Sequence, residues 1–221
     1  MSERPFEVSL RHGLGVLGLD LSDRQVAQLL DYQDLLQKWN RVYNLTAVRD
    51  PKDMLTHHLL DSLAVVAPLQ RQLQLRHPAS GAKILDVGSG AGLPGVVLAI
   101  CCPQVQLTCV DAVAKKVAFM RQTQVELGLS RLQALHARVE TLEGAYDVIC
   151  SRAFASLLDF VNGTRQVQGP GACWLAMKGQ PPADEFAALP PDVRVFHVEQ
   201  LQVPGLEAQR CIVWMEAVAT C

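Results

Sequence analysis

A glycine-rich segment that follows a short apolar run places the strongest constraint on the fold of this chain. Residues 83–95 read Lys-Ile-Leu-Asp-Val-Gly-Ser-Gly-Ala-Gly-Leu-Pro-Gly, which predicts a strand, a tight turn and the start of a helix. The glycines permit positive φ and the close approach of a ligand, since they have no Cβ. A second apolar run, residues 106–111, also ends in a carboxylate, Asp111, where a ribose diol would lie. This layout predicts an adenosine-cofactor site on an α/β sheet.

The length and composition predict a globular protein with one substantial core. The chain has 221 residues, of which 49% are hydrophobic, enough for such a core and a small appended domain. Lys and Arg total 20 against 22 for Asp and Glu, so a nucleic-acid partner would need a local basic face. No apolar run approaches the roughly 20 residues that cross a bilayer, and no basic leader is recognisable. We therefore expect a cytoplasmic protein without a membrane anchor.

The seven cysteines are expected to be reduced core residues. Their number is odd, several lie in apolar strand-like runs, and no Cys-x-x-Cys pair occurs. No metal site is expected. Cys150 precedes a polar Ser-Arg pair, but its apolar strand context would raise the pKa of its thiol, so a core role is favoured over a nucleophile.

The first 80 residues are predicted to form a helical region. Apolar side chains at helical spacing predict a helix over 22–39, with Ser22 as its N-cap. A polar and aromatic connection is expected over 40–50. Residues 52–67 read as a second helix that ends before Pro68.

The remainder, residues 81–221, alternates strands and helices, which predicts βαβ units and a mainly parallel sheet. We place the joint between the two regions, 1–80 and 81–221, at 76–81. Two strands joined by the Pro204-Gly205 turn predict an antiparallel hairpin at one edge. The predicted strands are 83–87, 106–110, 132–136, 146–150, 172–177, 193–201 and 210–217, and the predicted helices are 94–101, 113–127, 155–166 and 183–188.

Three interpretations of the glycine segment remain open from the residues alone. A nicotinamide dinucleotide fits Gly-x-Gly-x-x-Gly followed by Asp111 about twenty residues later. S-adenosylmethionine fits better, because Asp86 stands two residues before Gly88 and would hold the ammonium of the methionine end, directly or through water. A tight strand-to-helix turn without a ligand is the third. Only about 70 residues follow the fourth strand, which is short for the substrate domain of a dehydrogenase.

Five blocks together resemble a known family. They are Asn40-Arg-Val-Tyr-Asn-Leu-Thr-Ala-Val-Arg49, His58-Leu-Leu-Asp-Ser62, Asp86 to Gly95, Ser151-Arg-Ala-Phe-Ala-Ser156 and Lys178-Gly-Gln180. In order and spacing they closely resemble the RsmG family of bacterial small-subunit rRNA methyltransferases, also called glucose-inhibited division protein B. The resemblance implies a Rossmann-like class I methyltransferase sheet with an N-terminal helical extension. It also implies methyl transfer from S-adenosylmethionine to N7 of one guanine in the decoding region of 16S rRNA, leaving S-adenosylhomocysteine.

The resemblance assigns cofactor contacts to Gly88, Leu93, Val139, Glu140 and Arg152. The general logic of the fold adds Asp86, Gly90 and Asp111. Guanine N7 carries a lone pair and no proton, so no general base is expected, and catalysis rests on positioning and exclusion of water.

Arg152 and Lys178, each at the end of a predicted strand, are the expected catalytic residues. Arg138, Asn44, Arg49 and Phe154 are the expected RNA contacts. Asn44 and Asp61 fit equally well as residues that fix helix ends. The expected partner is 16S rRNA or the 30S subunit, with no protein partner and a monomeric enzyme.

Overall fold

The structure of the protein is a computed structural model that describes residues 4–77 and 81–218. Residues 78–80 of the expected joint at 76–81, and Cys221 among the cysteines, lie outside the described residues. Of the helices within the described ranges, none combines the length and hydropathy needed to cross a membrane.

One seven-stranded sheet organises the molecule, in the order β3-β2-β1-β4-β5-β7-β6. Strands β1 to β5 are parallel, and β7 is antiparallel to both β5 and β6. The mostly parallel sheet with an antiparallel edge hairpin confirms the predicted fold class. The strands are β1 (Lys83–Val87), β2 (Gln106–Asp111), β3 (Leu132–His136), β4 (Tyr146–Arg152), β5 (Gln168–Lys178), β6 (Val193–Leu201) and β7 (Arg210–Ala217).

The helices that follow the strands agree with the prediction except at their ends. The last predicted crossover helix, 155–166, is shorter in the structure because Ser156 is its N-cap and accepts a hydrogen bond from the N–H of Asp159 at 3.0 Å. These helices are α6 (Gly95–Cys101), α7 (Ala114–Glu126), α8 (Leu157–Thr164) and α9 (Ala183–Ala187).

The N-terminal region departs from the prediction in two places. A helix not predicted, α1 (Glu7–Val16), precedes α2 (Asp23–Tyr43); its two internal glycines weaken the sequence signal. The Ser22 N-cap of α2 is confirmed, with a full capping box to Gln25. The connection predicted from residue 40 is wrong at its start, since α2 continues to Tyr43 and ends where Asn44 adopts φ 49°.

The helix predicted over 52–67 is broken into segments. It comprises α3 (Pro51–Met54), a π-helical turn (Leu55–Leu60) and α4 (Asp61–Leu63), and α5 (Val66–Arg76) begins after a two-residue turn. The prediction that the helix ends before Pro68 is therefore wrong. Pro68 lies in the first turn of α5, where its missing N–H interrupts no intrahelical bond.

Two apolar clusters cover the two faces of the sheet. One joins the N-terminal helices to α6, α7 and one sheet face, and includes Leu29 and Phe119. The other packs α8 on the opposite face through Phe160 and Trp174. The hydroxyl of the buried Tyr32 in α2 donates a hydrogen bond to the carbonyl of Ala91 at 2.8 Å, so the N-terminal helices contact the glycine-rich turn directly. The six described cysteines are buried free thiols, as predicted for core residues.

Candidate functional site

The glycine-rich turn between β1 and α6 has an open side and a closed side. Gly88 has φ +65°, and a Cβ added there would meet no atom within 4 Å, so this glycine serves the backbone conformation and leaves open space beside it. Gly95 is the reverse. A Cβ there would lie 2.3 Å from Cys109 Sγ and 2.7 Å from Asp86 Oδ2. Close packing of α6 against the sheet therefore requires Gly95, whereas Gly88 faces the open space beside the turn.

Asp111, at the end of β2, binds the turn from the neighbouring strand. Its Oδ2 accepts a hydrogen bond from the Gly90 N–H at 2.9 Å, and its Oδ1 accepts one from the Val113 N–H at 2.8 Å. Lys116 Nζ lies 3.7 Å from Oδ2. The carboxylate thus fixes both the glycine turn and the approach to α7. Its contact with a ribose stays a prediction.

A cleft of about 340 Å³ opens at the carboxyl ends of β1, β2 and β3, the edge where open α/β sheets bind their ligands. A cleft of similar size, about 350 Å³, lies away from the glycine turn. It is lined by Val105, which precedes β2, and by Leu132, the first residue of β3. The first cleft is lined by Val87, Gly88, Val110, Asp111, Ala112, Ala137, Arg138, Val139, Glu140 and Phe154.

Asp86 lies beneath the glycine turn rather than in the cleft. Its side chain has no exposed surface, and its Oδ2 accepts a hydrogen bond from the Gly95 N–H at 3.0 Å. The thiols of Cys109 and Cys150 lie 3.9 and 3.8 Å from its oxygens. Burial raises the pKa of Asp86 to about 7, against the lowering effect of the Gly95 bond. In this structure Asp86 therefore holds the turn from below, and its contact with a ligand ammonium, directly or through water, stays a prediction.

Arg152, the last residue of β4, is held by a buried carboxylate from the N-terminal region. Its Nη1 donates hydrogen bonds to the His57 carbonyl at 3.0 Å and to Asp61 Oδ2 at 3.1 Å. The other oxygen of Asp61 accepts a bond from Arg210 Nε at 2.9 Å. The interpretation of Asp61 as a helix-end residue is wrong, because its carboxylate joins two arginines. Sequence reasoning missed Arg210, whose only signal was its place at the start of the last strand.

The chain turns sharply immediately after Arg152. Ala153 has φ 64°, a left-handed conformation that costs a non-glycine residue about 1 kcal/mol or more. The turn brings Phe154 to the wall of the cleft, where the centroid of its ring lies 5.4 Å from the centroid of the Phe160 ring. Backbone strain of this kind clusters at functional sites. Here the strained residue, Ala153, lies between Arg152 and Phe154 and lets the two side chains take different directions.

His58 packs beside Arg152 as a neutral side chain. Burial, together with the positive charge of Arg152, lowers the pKa of His58 to about 4. Its Nε2 lies 2.8 Å from the hydroxyl of Thr46. Near neutral pH the imidazole is therefore uncharged and serves as a hydrogen-bonding residue of the N-terminal region.

Asn44 and Arg49 line a separate polar cleft of about 300 Å³ in the N-terminal region. Arg49 Nη2 donates a hydrogen bond to Asn44 Oδ1 at 3.4 Å. Lys115, in the first turn of α7, donates to the carbonyl of Tyr43 at 2.7 Å. This contact sets the end of α2 beside the segment that follows Asp111. The role of Asn44 and Arg49 in binding RNA stays a prediction.

Comparison with known proteins identifies the family. The profile of the family described as rRNA small subunit methyltransferase G, GidB, matches residues 25–213. The chain belongs to the rRNA small subunit methyltransferase G family. Ribosomal RNA small subunit methyltransferase G of Acidovorax sp. (strain JS42) is 62% identical over 99% of both chains. The protein of that name from Polaromonas sp. (strain JS666 / ATCC BAA-500) is 64% identical over 95% of this chain and 92% of its own.

Solved structures similar to this member of the rRNA small subunit methyltransferase G family share its fold. TrmN from Thermus thermophilus aligns with a TM-score of 0.56 and 21% identity, over 74% of this chain and 53% of its own. A SAM dependent methyltransferase from Aquifex aeolicus aligns with a TM-score of 0.53 and 20% identity, over 75% and 98%. The sheet is therefore that of class I methyltransferases, as predicted.

The structure brings together only part of the predicted site. Gly88, Asp111, Val139 and Glu140, predicted to bind the cofactor, line one cleft. Arg138 and Phe154, predicted to bind RNA, line the same cleft. Leu93, a predicted cofactor contact, is instead buried in the core at 3% exposure. Gly90 stands beside the cleft and donates its N–H to Asp111.

Lys178 ends β5 as predicted, but its ammonium is not free. Lys178 Nζ lies 3.0 Å from both oxygens of Glu185 in α9, and Glu185 also accepts the backbone N–H of Leu157 at the start of α8. In this geometry Lys178 is an ion-paired residue that holds α8 and α9 to the sheet edge, and its catalytic role stays a prediction.

Proposed function

We propose that the protein transfers the methyl group of S-adenosylmethionine to N7 of a single guanine of 16S rRNA in the small ribosomal subunit. The observation that carries the proposal is the family match, because its range, residues 25–213, contains every residue of the cleft and of the Arg152 network. The relatives are named for methylation of small-subunit rRNA. The choice of guanine N7 rests on the resemblance of the five sequence blocks.

The cleft suits S-adenosylmethionine by its chemistry. Val87, Val110 and Phe154 provide apolar surface for an adenine ring, and Asp111 and Glu140 provide carboxylates for hydroxyls and for a cationic ligand. The open space beside Gly88 permits close approach to the backbone. The cofactor supplies an electrophilic methyl group on a sulfonium.

The residues around the cleft need only position a purine and exclude water. Guanine N7 attacks with its own lone pair, so no side chain has to remove a proton. Arg152 is fixed by two hydrogen bonds from its Nη1, which leaves it preorganised for the substrate. The neutral His58 adds no second charge beside it. Arg138, Asn44, Arg49 and Phe154 are proposed to contact the RNA around the target base. We expect a monomer acting in the cytoplasm.

The test is methyl transfer to ribosomal particles. Purified protein and tritiated S-adenosylmethionine are incubated with 30S subunits, or with free 16S rRNA, from a strain that lacks the modification. We expect stoichiometric label in at least one of these substrates and none in 50S subunits. Cofactor binding without incorporation into either substrate would contradict the proposal. A thermal shift with NAD but not with S-adenosylmethionine would favour the dinucleotide alternative.

A further inference from the structure

Arg210 shares a buried carboxylate with Arg152 although the two arginines come from different parts of the fold. Asp61 gives one oxygen to each guanidinium, at 3.1 Å for Arg152 and 2.9 Å for Arg210. The Asp61 side chain is 3% exposed, whereas those of Arg152 and Arg210 are 23% and 26% exposed. The carboxylate is thus closed off, and both cations reach solvent.

The arginines retain donors after these contacts. Arg152 makes both of its hydrogen bonds through Nη1, and Arg210 uses Nε for Asp61 and Nη1 for the Gln209 carbonyl. Within residues 4–77 and 81–218, Nε and Nη2 of Arg152 and Nη2 of Arg210 have no hydrogen-bond partner. One carboxylate faces two guanidiniums, so the group carries a net positive charge. Lys178, at the end of the neighbouring strand β5, faces the single carboxylate of Glu185, so that pair carries no net charge.

Both arginines lie at the end of the sheet that carries the cleft, which is the end where the parallel strands have their carboxyl termini. In the strand register, Arg152 stands opposite Met177 of β5, and Met177 stands opposite Ile212 of β7. Arg210 begins β7 two residues before Ile212. The carboxyl ends of the parallel strands and the start of β7 therefore meet at one edge.

We propose that Arg210, held beside Arg152 by Asp61, binds a phosphodiester group of the RNA that presents the target guanine. This inference rests on the proposed function. A guanidinium fork matches a phosphate, and one phosphodiester charge balances the net charge of the group. Guanine itself is a poorer ligand here, since an arginine bidentate to O6 and N7 would cover the atom to be methylated.

A second carboxylate shared by two arginines provides a matched control. Glu216 of β7 accepts from Arg76 Nη2 at 2.7 Å and from Arg194 Nε at 2.9 Å. It stands opposite Cys173, five residues before the carboxyl end of β5. Arg194 therefore pairs with a carboxylate that is also shared by two arginines, but towards the opposite end of the strands.

The experiment measures the affinity for 30S subunits over a series of salt concentrations, with wild type, Arg210→Gln, Arg210→Lys and the control Arg194→Gln. The slope of log affinity against log salt is negative, and Arg210→Gln is expected to reduce its magnitude by roughly one, the loss of about one phosphate contact. Arg210→Lys keeps the charge and the slope but loses the fork, and is expected to bind about fivefold more weakly. Arg194→Gln should match wild type, and the affinity for S-adenosylmethionine should stay within about twofold in all variants.

A slope for Arg210→Gln equal to that of Arg194→Gln would overturn the inference. Should Arg210→Gln not fold, Arg210→Lys decides, and unchanged affinity for 30S subunits would overturn it as well. In both cases methylation by wild type would persist, so the proposed function would stand. Absence of methyl incorporation by wild type is the separate result that removes the proposed function and this inference with it.

Discussion

Two carboxylates of this protein, Asp61 and Glu216, are each shared by two arginines, yet their surroundings differ. Asp61 is 3% exposed and lies at the edge of the sheet that bears the cleft. Glu216 is 14% exposed, and its partner Arg194 is 63% exposed and turned to solvent. Arg76 of the Glu216 group also stacks on Phe196, with its guanidinium carbon 4.4 Å from the ring centroid. We therefore expect the same ion-pair chemistry to serve the substrate in the Asp61 group and to stabilise the fold in the Glu216 group, according to the position of each group along the strands.

The largest expected effect comes from removing the two carboxylates in parallel. Asp61→Ala leaves two guanidiniums around a buried space, and we expect it to lower the free energy of unfolding by about 3–5 kcal/mol. Glu216→Ala should cost about 1 kcal/mol, because Glu216 is itself 14% exposed and one of its two partners, Arg194, is 63% exposed. Urea denaturation of both variants measures the difference. Equal losses would contradict the distinction between a buried and a surface group.

The next effect separates the arginines by function. Arg152→Ala is expected to lower kcat/KM for methylation of 30S subunits by about 100-fold, since it removes a preorganised charge from the reacting edge. Its counterpart Arg76→Ala should leave kcat/KM within about twofold of wild type. Steady-state kinetics with both variants, at matched folded fractions, test this. A loss of activity in Arg152→Ala no larger than its loss of folded protein would make Arg152 structural.

The sequence predicted the half of the site whose constraints are local. The turn from Gly88 to Gly95, the carboxylate at the end of β2 and the strand alternation all lie within short spans, and each follows from backbone geometry. The Asp61 group was out of reach because its contacts join residues 91 and 149 positions apart, which no spacing rule relates. Asp86 was placed at the ligand because it stands two residues before Gly88, and that spacing does not show that a backbone N–H and two thiols surround its carboxylate.

A smaller effect concerns the pH dependence of the Glu216 group. Partial burial raises the pKa of Glu216, but hydrogen bonds from Arg194 and Arg76 outweigh it, so the net shift is downward. A carboxylate with a lowered folded-state pKa contributes stability above its unfolded pKa, and this contribution is lost as the pH falls through the folded value. Glu216→Gln should therefore reduce the difference in unfolding free energy between pH 7 and pH 3. An identical pH profile in the variant would show that the ion pairs contribute nothing measurable.

The smallest effect is expected at Lys178, which lies at the same edge as the Asp61 group but in a neutral pair. Lys178→Met should change kcat/KM for 30S subunits by less than about threefold and cost about 1 kcal/mol or less of stability. Methyl-transfer kinetics and urea denaturation measure the two. A loss of activity comparable to that of Arg152→Ala, with the fold intact, would support the predicted catalytic role of Lys178 and contradict the view that the net positive charge of the Asp61 group is what matters at this edge.

The most direct test of the proposed reaction maps the methylated atom itself. 30S subunits lacking the modification are treated with the protein and S-adenosylmethionine, and the extracted 16S rRNA is reduced with borohydride and cleaved with aniline, which breaks the chain at N7-methylguanosine. Primer extension should then show one new stop in the decoding region, present with wild type and Arg194→Gln and strongly reduced with Arg152→Ala. Incorporation of label without any aniline-sensitive guanine, or no incorporation at all, would contradict methyl transfer to guanine N7.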